Sequence, residues 1–331
     1  MTKRFLFVGA LAVMALGVTA PAQTQGQKKA TAKTPWGDPD LQGVWTTDSN
    51  SGVPLERPDA FAGKQVLEGD ELAQVQQERE QNRSETAPLA GGITGAGPVH
   101  WYEHWGAKSS RTSLVTSPAD GRIPAMIPSA QQRETARAAR RAGRGPADSW
   151  EDRSMWDRCI TRGLPNVMFP TIYNNNIQIV QTPGYVTITH EMIHDTRIIP
   201  LDGRPHLPPQ IRQYMGDSRG RWEGSTLVVD VTNFTDKTNY RGSGDTLHLI
   251  ERYTRVGTAI RYEVTVDDPQ TFTKPWTAAL DLTPQSGLFE YGCHEGNYGL
   301  RNILSAARAE EREAARTGKT LNPVDTRGEE R

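Results

Sequence analysis

The second half of the chain alternates apolar and polar positions with a period of two. The clearest run sets Ile260, Tyr262, Val264 and Val266 against Arg261, Glu263, Thr265 and Asp267, the pattern of a strand with one buried face. Comparable runs cover Arg221 to Phe234, Thr246 to Val256, Trp276 to Thr283 and Leu288 to Glu295, separated by turn residues such as Gly257-Thr258 and Gln285-Ser286-Gly287. Connections this short imply antiparallel neighbours. The densest stretch is Tyr173 to Leu207, where three strand-like runs rich in Val, Ile and Thr are punctuated by Pro183-Gly184 and Asp202-Gly203.

Upstream the pattern is more mixed. Leu41, Gly43 and Trp45 fall on one face of a first strand, and Arg111 to Ile127 reads as a hairpin around Ala119-Asp120-Gly121. Helix formers dominate Glu68 to Arg83 and the run QQRETARAARRAGRG from Gln131, both expected to be exposed helices, the second ending at glycine. Tyr298 to Arg316 predicts a third helix, with Leu300, Ile303, Leu304 and Ala307 as one apolar stripe suited to docking on a sheet.

Eight or more such strands must hide their edges, and closure does this most completely. The expected fold is therefore mainly β: an antiparallel calycin-like barrel or strongly curled sheet with peripheral helices. A two-sheet β-sandwich is the alternative. Gly43-x-Trp45 also resembles the opening of lipocalin-type barrels, where the tryptophan plugs one end. Trp222 and Trp276 are read as further barrel-end plugs.

Composition changes this picture little. With 36% hydrophobic and 23% charged residues the 331-residue chain is an ordinary globular one, and a net charge of -1 gives no global footprint for nucleic acid or anionic membrane. The N-terminus changes it more. Lys3 and Arg4 precede an apolar run from Phe5 to Val18 and the small-residue site Ala20-Pro21-Ala22, the layout of a cleaved signal peptide, residues 1–22. The apolar run is shorter than the ~20 residues of a membrane span, so the protein is expected to be periplasmic or secreted, with no span after signal removal. Residues 23–34 read as a disordered leader, 35–310 as a single β-rich domain with helical and loop decoration at about 62–158, and 311–331 as a helix end and disordered tail. Export places Cys159 and Cys293, the two cysteines of the chain, in an oxidising compartment, and they are predicted to pair. A reactive thiol beside His294 is the alternative.

Candidate chemistry begins with His190-Glu191-Met192-Ile193-His194, which matches the H-E-x-x-H pattern of zinc peptidases. On a helix His190 and His194 would share a face. On a straight strand, at roughly 3.3 Å per residue, their Cα atoms stand about 13 Å apart and cannot share one Zn²⁺. The β-branched composition favours the strand, so no metal or cofactor is predicted; zinc enters with the peptidase reading, through His190 and His194, or with a metal pair built from His294 and Glu295 and one of those histidines. If Val186, Ile188, His190 and Met192 share the inward face, His190 is a polar group among apolar neighbours. It then either is a satisfied core residue or lines a cavity.

His294 and Glu295 precede a glycine turn and could form an acid/base pair with His190, while Asn297 could line the same rim or satisfy amides at the helix start. Arg197, Arg204 and His206 are candidate ligand-binding residues, because arginine forks fit carboxylates and phosphates, although neighbouring acids such as Asp195, Asp202 and Asp217 could pair with them instead. Two functional readings follow. One is an exported protein that holds a small organic ligand in a barrel mouth. The other is a small-molecule hydrolase or lyase with His190 or His294 as base and Glu295 assisting. A zinc-dependent peptidase is the third.

PWGDPDLQGVWT with PLERP, RTSLVTSPADGRIP, RCITRGLP, YNNNIQIVQTPGYVTITHEMIHDTRIIPLDGRPH, GDSRGRWEGSTLVVDVTNF, DDPQTFTKPWT and YGCHEGNYGLRNIL together resemble a large family of exported bacterial proteins usually described only as hypothetical. The match spans roughly residues 35 to 308. The resemblance implies an exported, single-domain, β-rich protein and carries over no activity, substrate or catalytic residue.

Overall fold

Hairpins with two-residue loops build most of the sheet. Pro183-Gly184 joins β3 (Asn176–Thr182) to β4 (Tyr185–His190), and Gly257-Thr258 joins β8 (Leu249–Val256) to β9 (Ala259–Val266). In both loops glycine takes positive φ (82° and 62°), the conformation that lets so short a loop reverse the chain. The computed structural model describes residues 32–90, 109–171, 173–237, 240–293 and 298–318. The expected signal peptide, the leader up to residue 31 and the tail beyond 318 lie outside them.

A third hairpin divides what the alternation presents as one strand, Arg221 to Phe234. It consists of β6 (Asp217–Glu223) and β7 (Thr226–Thr232), with Gly224-Ser225 between them. The remaining strands are β1 (Gly43–Thr46), β2 (Val115–Ser117), β5 (Thr196–Pro200) and β10 (Trp276–Pro284). The helices are α1 (Gly69–Ala90), α2 (Pro128–Arg141) and α3 (Tyr298–Thr317).

Among the described residues ten strands form one antiparallel sheet. Its path is β5-β4-β3-β1-β10-β9-β8-β7-β6, with β2 lying beside β10. Two meanders, β3 to β5 and β6 to β10, are thus joined through β1, which pairs with β3 on one side and β10 on the other. The ends of the path meet: a Cβ at Gly220 on β6 would lie 2.5 Å from Leu201 and 2.8 Å from Ile199, which follow and belong to β5. Only glycine permits that approach. The result is the nearly closed antiparallel barrel expected from the alternation, not a pair of stacked sheets.

The interior is filled by side chains. Ile177, Ile179, Val186, Ile188, Leu227, Val229, Leu280 and the β9 set Ile260, Tyr262, Val264 and Val266 are all buried in one cluster. Trp45 lies in the same core, donates its indole N–H to Leu41 O at 3.0 Å and carries the Arg255 guanidinium 5.3 Å from its ring. Trp276 is fully buried between Tyr240 and Phe272, whereas Trp222 is only partly buried against the core.

The expected hairpin at Arg111 to Ile127 does not form. Its first limb gives its amides to distant carbonyls (Thr112 to Gln65, Leu114 to Pro54, Val115 to Leu55) and its strand segment pairs with β10. Nothing is left for the return limb, which makes a single bridge, Met126 to Phe272. The expected strand from Leu288 is also absent over the described residues 288–293. There Phe289 N–H bonds the Glu191 carboxylate, Cys293 N–H bonds Tyr291 O, and Cys293 is tied to Cys159. That disulfide, with Cα atoms 5.8 Å apart, bears out the predicted pairing and removes the free-thiol alternative. α3 buries no residue. Arg308 anchors it to the carbonyls of Ala147 and Asp148, and Leu300 and Leu304 line a surface cleft with Trp150.

Candidate ligand-binding site

The H-E-x-x-H segment is the end of a strand followed by a tight turn. β4 ends at His190, and Ile193 and His194 take positive φ (58° and 47°) before β5 begins. His190 therefore points inward, 1% exposed, while His194 is on the surface. The two imidazoles do not converge. Glu191 is buried and accepts from Asn174, from Asn176 at 2.8 Å and from Phe289 N–H at 3.0 Å, so the asparagines of YNNNI lock the glutamate of HEMIH. No cluster of three or more His, Cys, Asp or Glu suited to a metal ion occurs among the described residues.

His190 lies next to a buried ion pair. Arg197 on β5 reaches Glu251 on β8 with Nη1 to Oε2 at 2.6 Å and Nη2 to Oε1 at 3.1 Å. The Tyr253 and Tyr262 hydroxyls donate to the same carboxylate at 3.0 and 2.9 Å. Burial opposes the Arg197 charge, but Glu251 more than restores it, and its pKa is raised. Burial, then the Glu251 charge, holds both tyrosines well above their ordinary range. His190 is driven far below its usual value by burial and by Arg197, and neither ring nitrogen has a hydrogen-bond partner among the described residues. Glu251 was legible in principle: it is an acid on the inward face of Leu249, Glu251 and Tyr253.

The other predicted residues scatter. Arg204 lies outside, bonded to Asp202 and to the Tyr185 hydroxyl at 3.0 Å, and does not join Arg197. His206 sits on the outer surface in a chain of its own, Nδ1 to Asp217 at 2.8 Å and Nε2 to Asp230 at 2.9 Å. Asp230 in turn meets His248 Nε2 at 3.0 Å. His294, Glu295 and Asn297 lie outside the described residues.

The groups that do converge are ones the sequence reading left aside. A cleft of about 600 Å³ opens on the outer face of β9 and β10, lined by Arg57, Arg111, Ser113, Arg261 and Asp281 among others. Arg261 and Asp281 are cross-strand partners and form an ion pair. Arg57 is 3% exposed, yet its guanidinium meets only neutral acceptors among the described residues: Thr112 Oγ1 at 3.1 Å and Ala119 O at 2.8 Å. The turn after β2 closes over it, and a Cβ at Gly121 would lie 2.9 Å from the guanidinium carbon. Arg111 is half-buried, and its guanidinium has no ion-pair or hydrogen-bond partner among the described residues. Burial and the facing Arg261 lower its pKa against the pull of Asp281 and Glu263. Arg79 of α1 fixes this wall by donating to the carbonyls of Ser109 and Arg111. PLERP and RTSLVTSPADG, two of the motifs that carry the resemblance, meet here. Arg57 and Thr112 are 55 residues apart, which hides the contact from any local pattern.

No protein-family profile and no curated protein matches this chain. A solved structure to which it is similar is the crystal structure of a mutant of the fluorescent protein UnaG. The two are 12% identical, the alignment covers 34% of this chain and 72% of that one, and the TM-score is 0.23. The fold described above stands on the strand pairing alone.

Proposed function

We infer that the protein is an exported binder of a small polar molecule, held in the cleft on the outside of β9 and β10. The observation that carries this is Arg111: a half-buried cation whose guanidinium has no ion-pair or hydrogen-bond partner among the described residues, lining a cleft of about 600 Å³ while the barrel interior is filled. Clefts of ~300–1,000 Å³ with a few convergent polar groups are the usual small-molecule sites, and a charge buried without a partner is costly. The barrel therefore serves as a rigid wall rather than as a cup.

A thermal-shift screen of the mature protein against a library of small metabolites tests this. Hits are expected, and Thr283→Trp, at a position of β10 that also lines the cleft, should abolish them by filling it while leaving the fold intact. Hits that survive Thr283→Trp would place the ligand elsewhere. Each hit should also be recovered chemically unchanged after incubation, since turnover would favour the hydrolase or lyase reading. That reading loses support from the burial of His190 beside Arg197. Export is tested by fractionating cells that express the full chain. The mature protein should begin at Gln23 and be released with the periplasmic or secreted fraction; a cytoplasmic full-length product would overturn that part of the proposal.

A further inference from the structure

We propose that the ligand is a small hydroxylated anion, a sugar acid or sugar phosphate, whose charged group is held by Arg111 with Arg57 and Arg261. This rests on the cleft being the binding site. Three guanidinium groups face one lining carboxylate, Asp281, which is already engaged by Arg261. Glu263 acts on Arg111 only at longer range, so the wall keeps a positive excess. An arginine fork matches a carboxylate or phosphate with two parallel hydrogen bonds, and an anion at this place supplies the counter-charge that Arg57 and Arg111 lack.

The rest of the lining specifies the body of the ligand. Ser113 donates its hydroxyl to Val115 O at 2.9 Å, and Ser49 donates to Asp281 O at 3.1 Å. With its proton committed, Ser113 Oγ has no donor among the described residues, whereas Ser49 Oγ already accepts from Asn50 Nδ2 at 3.0 Å and keeps one lone pair; a lone pair beside an arginine accepts from a hydroxyl group. An aliphatic acid would leave the Ser113 oxygen unmet. A hydroxylated one satisfies it while its anionic end meets the guanidinium groups.

Isothermal titration of the mature full chain with D-glucuronate, D-gluconate, glucose 6-phosphate, D-glucose, acetate and inorganic phosphate decides the matter. A sugar acid or the sugar phosphate should bind, at least about tenfold more tightly than glucose, acetate or phosphate, since one charge-assisted pair is worth about that factor. Comparing the two carboxylates with the phosphate ester tells which anionic group fits. Arg111→Gln should weaken binding about tenfold or more and flatten its dependence on salt, with Arg221→Gln on the opposite side of the sheet path as an unaffected control. Glucose binding as well as glucuronate, or an unchanged affinity in a folded Arg111→Gln protein, would overturn the anionic assignment and leave the cleft reading standing. If only acetate or phosphate binds, the hydroxylated body is wrong. Binding that persists in Thr283→Trp would overturn the cleft itself, and with it this assignment.

Discussion

Arginines occupy two very different places in this barrel. Inside, Arg197 is sealed against Glu251, with two tyrosine hydroxyls completing the carboxylate's shell. Outside, Arg57 and Arg111 are withdrawn from solvent to unequal degrees and neither meets an acid among the described residues. A buried charge whose partners are all present belongs to the architecture, because its geometry is already spent on the fold. A partly buried charge with room in front of it is available to something that is not part of the chain. Burial alone does not separate the two cases. What separates them is whether the counter-charge is in the sequence.

The largest expected effect comes from opening the inner pair. Glu251→Leu leaves the Arg197 cation sealed without its carboxylate, and urea unfolding should show a loss of about 3–5 kcal/mol. The double variant Arg197→Met/Glu251→Leu should recover most of that; a double variant as unstable as the single one would mean that packing, not the uncompensated charge, sets the cost. Next comes Arg57→Met, which strands the acceptors on Thr112 and Ala119. It should lose about 1–2 kcal/mol and weaken ligand binding as well. Arg111→Met, by contrast, breaks no bond seen among the described residues and removes the repulsion from Arg261 together with the opposing pull of Asp281 and Glu263. Its stability should stay within about 0.5 kcal/mol of the parent while binding falls; a large loss of stability there would erase the distinction between the two regions.

The smallest effect is in the His206–Asp230–His248 chain on the outer face. The bond to Asp230 raises the His248 pKa above 6.5, and the same bond, with His206 assisting, lowers the Asp230 pKa below 3.8. A raised histidine contributes stability that is complete below 6.5 and is lost as pH rises through its folded value. A lowered carboxylate contributes above 3.8 and is lost as pH falls. Both terms are fully present between about pH 4 and pH 6.5, so the contribution of this chain to the melting temperature should be largest there. Asp267 lies 3.8 Å from His248 and adds in the same direction. Being partly solvated, the pair is worth a fraction of a kcal/mol, roughly 0.5. His248→Gln should flatten the decline between about pH 6.5 and 8, and an undiminished decline would assign it to another group.

Local pattern determined a good deal by itself. The alternation of Ile260 to Val266, the loops at Pro183-Gly184 and Gly257-Thr258, the three helices and the β character of the histidine-bearing segment all follow from interactions within a few residues, which sequence records directly. So does the disulfide, since two cysteines leave one pairing. Tertiary structure alone decided the rest. Carbonyls of residues 54–65 took the amides that a local hairpin at 111–127 needed, and the turn between β6 and β7 was hidden inside a continuous run of strand formers. Whether an arginine is a staple or a receptor was equally out of reach: Arg197 looked available and is paired across the barrel, while Arg57 and Arg111 looked ordinary and are not. Partners 54 residues apart, as Arg197 and Glu251 are, are set by how strands are ordered around the barrel, and charge pairing over that distance leaves no periodic trace in the chain.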